Sequence, residues 1–166
     1  MPTKEEDAGI GITHNFGDGK GSVPARQHKN GGGWVALTAT VEDSAYVGPE
    51  AKVYGNAEVS GEAEVSGNAK VYGKAKVYGK ARVSDDSKVY GNAEVYGDAR
   101  IYGNARVSDD AWVFGNARVS DDSKVYGNAE VYGDAWVCGK ARVFGNVWVF
   151  GNARVSSHAK EEHNAN

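Results

Sequence analysis

An aliphatic residue occupies every sixth position from Val35 to Val155 without interruption, 21 positions of which 20 are valine and one is Ile101. The residue four places after each is small: alanine in 18 hexads, serine at Ser87 and Ser123, and valine at Val147. A period of six does not match the 3.6-residue turn of a helix, and glycine recurring inside helices would cost roughly 1 kcal/mol each time. β-Branched valine at every sixth place suits short strands instead. In a unit such as Val53-Tyr54-Gly55-Asn56-Ala57-Glu58, strand alternation points Ala57 and the next Val59 inward and Glu58 outward. Gly55-Asn56 then forms the corner, because both residues tolerate positive φ. Three corners read Asp85-Asp86, Asp109-Asp110 and Asp121-Asp122. Aspartate also serves turns by bonding nearby backbone, and a calcium site is the weaker reading of these pairs.

Three hexads close a triangular coil of 18 residues, so the pattern predicts an all-β, single-stranded parallel β-helix of seven coils. At the usual inter-strand spacing the coils stack about 4.8 Å apart. The segment Ser84 to Ala99 recurs unchanged at Ser120 to Ala135, an offset of 36 residues or two coils, which supports the same stacking period. One hexad buries almost nothing, and only stacking yields a continuous core. Residues 1–34 break the pattern with Gly17, Gly19, Gly21, Pro24 and Gly31-Gly32-Gly33 before Trp34. They read as a flexible arm turning into an N-terminal cap, followed by the repeat domain over 35–160 and a short tail over 161–166.

The V-x-G-N-A-x hexads resemble those of the hexapeptide-repeat, left-handed parallel β-helix superfamily, over about three quarters of the chain. The left hand follows from the resemblance alone, since general crossover physics favours the right hand. The resemblance also implies trimers, and it brings in acyltransferases that use a histidine base at a subunit interface, carbonic anhydrase-like proteins and members without a known activity.

Composition adds little that is decisive. The apolar content is almost all valine and alanine with aromatics, and a formal net charge of −3 exerts no global pull toward nucleic acid or anionic membrane. A lone Cys138 excludes an intramolecular disulfide framework and a cysteine-based zinc site. No run approaches the ~18 apolar residues of a membrane span and no export signal is recognisable, so the expectation is a cytoplasmic protein without a membrane partner.

Charge becomes informative when outward positions are sorted by coil. The first face carries Lys52, Lys70, Lys88, Arg106, Lys124, Arg142 and Lys160, beside Tyr54, Tyr72, Tyr90, Ser108, Tyr126 and Phe144. Cations about 5 Å apart repel by roughly 1 kcal/mol per pair even in water, so an unbroken column needs an explanation. Polyanion binding supplies one: basic columns neutralise phosphates and aromatic columns accept stacked bases, as in sequence-tolerant single-strand binders. The competing reading is an outward cross-strand ladder neutralised by neighbouring carboxylates.

The second face turns aromatic toward its C-terminal end, where Trp112, Phe114, Tyr132, Trp148 and Phe150 form an apolar patch suited to self-association. The third carries Tyr46, Glu64, Arg82, Arg100, Arg118, Trp136 and Arg154 beside small residues that include Cys138.

For catalysis the residues offer little. His14 and His28 precede the repeats, His158 sits at a corner near their end, and His163 lies in the tail, so they are not placed to converge on zinc. Cys138 has no histidine in the coils around it and reads as a packing residue. No catalytic residue, metal or cofactor is assigned. The sequence therefore points to a non-catalytic, oligomeric scaffold or binding protein with a face for an anionic ligand, a nucleotide or nucleic acid. An acyltransferase-like enzyme and a purely structural oligomer or end-to-end polymer are the alternatives.

Overall fold

The computed structural model describes residues 12–156 and the short strand Lys160–Glu161. His158, His163 and the ends of the chain, including most of the expected tail, lie outside the described residues. Among the described residues there is no helix, and none long and apolar enough to cross a membrane. The hexads form short strands that pair in parallel into three sheets, a β-solenoid of about seven turns.

Each coil contributes one strand to each sheet. The valines stack in register, Val53 on Val71 and Val71 on Val89 in the first sheet, Val59 on Val77 in the second and Val65 on Val83 in the third. Valines and alanines from all three sheets make one buried cluster running the length of the solenoid. Ser87 and Ser123 stand in for alanine inside it because their hydroxyls donate to Ser84 O and Ser120 O, each at 2.6 Å.

Backbone pairing continues around the corners. Lys52 and Tyr54 donate to Ala69 O and Val71 O at 3.0 Å, and the corner residue Asn56 donates to Gly73 O at 2.7 Å. Corners therefore stack as closely as strands do. A Cβ on Gly73, whose φ is 73°, would lie 3.0 Å from Gly91 N. Where aspartate takes the left-handed position, at Asp85, Asp109 and Asp121 with φ of 59–60°, its carboxylate accepts from the glycine N–H one coil on: Gly103 at 2.9 Å, Gly127 at 3.1 Å and Gly139 at 2.8 Å. These side chains add a further coil-to-coil bond at their corners, and among the described residues no cluster of His, Cys, Asp or Glu is arranged to hold a metal.

The N-terminal segment, expected to be flexible before its cap, is structured from residue 12 onward. Strand β1 (Thr13–Asn15) pairs antiparallel with β2 (Ser22–Gln27), and β2 pairs antiparallel with β3 (Trp34–Ala36), the first strand of the first sheet. The glycine run after β2 lies against the start of the third sheet: Val47 donates to Asn30 O and Gly33 donates to Val47 O. Any Cβ on Gly31 would come within 2.2 Å of Val47 O, so close backbone approach explains that glycine. The hairpin and the glycine run thus cover the first-coil edges of the first and third sheets, the usual liability of a parallel solenoid.

Candidate functional site

The stacking register turns the sequence columns into surfaces. On the first face, Lys52, Lys70, Lys88, Arg106, Lys124, Arg142 and Lys160 occupy successive partner positions. Ion pairs elsewhere join Lys29 to Asp43, Lys80 to Glu62 and Arg82 to Glu64. Among the described residues none involves Lys52, Lys70, Lys88, Arg106, Lys124 or Arg142. Corner carboxylates come near without pairing: Asp86 and Asp122 border a groove with Lys70, Lys88 and Arg106, while each accepts from a stacked amide, Asn68 at 3.1 Å and Asn104 at 3.0 Å. Neutralisation by neighbouring corners, the competing expectation, is therefore not made by direct contact.

The aromatic column beside these cations is a stack of rings. Phe16 from the hairpin turn heads it, followed by Tyr54, Tyr72 and Tyr90 with centroids 4.9 Å apart at each step. The column is interrupted at Ser108 and resumes with Tyr126 on Phe144 at 5.2 Å. At this spacing neighbouring rings cover one another's faces, so a base has no room between them. Faces between stacked rings accept no ligand, and only a ring at the end of a run has a face without a ring partner. Burial raises the phenol of Tyr54 to about 12, with Tyr72 and Asp18 adding smaller contributions, and burial raises Tyr72 in the same direction. Both are neutral at physiological pH and add no negative charge to the face.

The other columns are engaged differently. On the second face Tyr78, Tyr96, Phe114, Tyr132 and Phe150 stack without a break, and Tyr78 donates to Glu94 at 3.1 Å. Trp112 and Trp148, which flank that stack, are 42% and 49% exposed, whereas Phe114, Tyr132 and Phe150 are partly covered. On the third face Arg82 pairs with Glu64, Arg154 lies over Trp136 at 4.3 Å, and Trp136 donates to Ser120 Oγ at 2.9 Å. Cys138 is 3% exposed, which keeps its thiol from substrate.

The two histidines of the cap serve its packing. His28 is buried, with Nε2 2.9 Å from Ala45 O and Nδ1 3.4 Å from an Arg26 nitrogen, so both ring nitrogens have partners. His14 stacks on Trp34 at 4.4 Å, its Nε2 is buried, and burial followed by the Lys52 charge lowers its pKa, which keeps the ring neutral. Neither faces an open groove as a base would.

Two features of the first face were not singled out from the sequence. Phe16 gave no signal, since only the fold of the hairpin carries it to the head of the column. Ser108 gave one, being the single small residue in an otherwise aromatic series. It borders a groove of about 290 Å³ together with Tyr90, Arg106, Lys124, Tyr126 and Arg142.

Residues 99–114 match the family model described as the YdcK beta solenoid repeat. No curated protein matches the chain. Among solved structures, a Bacillus cereus protein provisionally assigned as an acetyltransferase aligns over 69% of this chain and 73% of its own, at 15% identity and a TM-score of 0.30, a likeness too slight to carry an argument. An unbroken run of hexads, three parallel sheets built one strand per coil and a match to a solenoid repeat fit the hexapeptide-repeat β-helix superfamily that the sequence resembles.

Proposed function

We propose that the protein is a rigid β-helix binding element whose first face engages an anionic, phosphate-bearing ligand of nucleotide chemistry, free or within a strand. The observation that carries this reading is the run of cations held in register with no carboxylate in contact among the described residues. Like charges a coil apart repel, and an anion bridging two or three of them converts that repulsion into charge-assisted hydrogen bonds. Neutral tyrosines alongside keep the potential positive. The acyltransferase-like alternative lacks comparable support, because His14 and His28 are engaged in the cap.

Binding to polyphosphate and to a single-stranded oligonucleotide, followed at low and moderate salt, tests the proposal. The wild type should bind with a log K that falls linearly with log salt. Changing Lys70, Lys88 and Lys124 to glutamate should abolish it. A wild type that binds neither polymer at low salt would remove the reading.

The exposed Trp112 and Trp148 support a second proposal, that the C-terminal part of the second face joins copies of the chain, with the trimer as the expected assembly.

A further inference from the structure

The break in the first ring column is a site, and its chemistry is narrower than that of the face around it. We infer that the gap at Ser108 receives one planar aromatic ring, carried by a ligand whose phosphate group is held by Arg106 and its neighbours in the basic column. The inference rests on the anionic-ligand reading and refines it from a face to one coil.

Tyr90 and Tyr126 are two coils apart, roughly 10 Å at the usual inter-strand spacing. A ring placed midway would lie about 5 Å from each, close to the 4.9 Å step that the column itself uses. Every other step from Phe16 to Phe144 is closed by direct stacking, so the inner ring faces without a ring partner are those of Tyr90 and Tyr126 on either side of Ser108. The second face makes the contrast: its column runs from Tyr78 to Phe150 with no missing ring and a glycine corner after each, whereas Ser108 precedes an Asp-Asp corner, as Ser84 and Ser120 do.

The floor and one wall of the gap suit a charged ligand. Ser108 is buried and small, leaving the groove of about 290 Å³ that also reaches Arg106, Lys124 and Arg142. That volume lies at the small end of ligand pockets and fits one ring system rather than a run of bases. Arg106 opens a two-residue strand and Ser108 follows it directly, with Val107 between them turned into the core, which sets the cation beside the ring position. Arginine presents its planar fork to phosphate oxygens, and Lys124 and Arg142 continue the positive charge into the next two coils. On the opposite, corner side stands Asp109, one of whose oxygens accepts from Gly127 N–H at 3.1 Å. The phosphate is thereby directed toward the basic column and the ring edge toward the corner. Stacking between two phenols with a salt-linked tail is the recognition of a nucleotide, and tolerance for the base is expected because every base has a π-face.

Calorimetric titration of the full chain with adenosine diphosphate, pyrophosphate and polyphosphate tests this. The wild type should bind the nucleotide at least tenfold more tightly than pyrophosphate, and tyrosine fluorescence should be quenched on binding. Ser108→Tyr completes the column and should reduce the nucleotide to the affinity of pyrophosphate while leaving polyphosphate binding unchanged. Tyr126→Leu removes one wall and should act in the same direction. Equal affinities for nucleotide and pyrophosphate in the wild type, or undiminished nucleotide binding in folded Ser108→Tyr and in Tyr126→Leu, would overturn the inference while polyphosphate binding kept the charged-face reading intact. Loss of polyphosphate binding from the wild type would instead defeat the broader reading itself.

Discussion

At the scale of single residues, stability rests on repetition of one small apolar choice. Val95 is fully buried between Val77 and Val113 in the second sheet, and each such side chain contributes roughly 1.5–3 kcal/mol by leaving water. Val95→Asp puts a charge there with no partner and should cost several kcal/mol. Thermal melting followed by circular dichroism should show a markedly lower Tm, and an unchanged Tm would contradict the phase of the hexads. Tyrosines give a pH signature. The folded-state pKa of Tyr54 and of Tyr78 is raised to about 12, from burial first and, for Tyr78, from its hydrogen bond to Glu94 second. Because the folded chain holds these protons more tightly than the unfolded one, stability is intact below about pH 10 and is lost as pH rises toward 12. Tyr54→Phe and Tyr78→Phe together should flatten that alkaline loss, as read from denaturant midpoints across the window.

At the scale of elements, the unit is the hexad and the closed structure is three of them. Corners and strands alike bond to the coil above, so a coil is exchangeable provided its length is kept. Deleting residues 84–101 rejoins Val83 to Tyr102 with the inward positions in phase, and the shortened chain should remain folded with a cooperative melt. Deleting residues 84–92 moves every later valine out of phase and should abolish the melt. The corners show what a local pattern can and cannot specify. Gly-Asn and Asp-Asp pairs both announce turns, yet the reason Asp85, Asp109 and Asp121 are accommodated, a carboxylate bonded to the glycine N–H one coil on, depends on the residue 18 places later. A window of six residues does not contain that partner.

At the scale of the molecule, stacking creates surfaces that no single coil has. The exposed end of the second face is proposed to join copies of the chain. Replacing Trp112, Phe114, Trp148 and Phe150 with polar residues should then lower the light-scattering mass to that of a monomer, and an unchanged mass would remove this interface. By itself the sequence determined the coil, the inward positions and the membership of every outward column, because a strict period of six leaves one phase in which valine and alanine are buried. It also placed the cations of the first face in one line, since positions 18 apart become neighbours once the period is known. Only the tertiary structure decided which of those side chains remain available. Ring-on-ring stacking 4.9 Å apart closes most of the tyrosine column to bases and leaves Ser108 as its opening, and the carboxylates that could have paired with the lysines are turned to stacked amides instead. The hairpin that brings Phe16 to the head of the column is likewise fixed by contacts between residues far apart in the chain, where the repeat is silent.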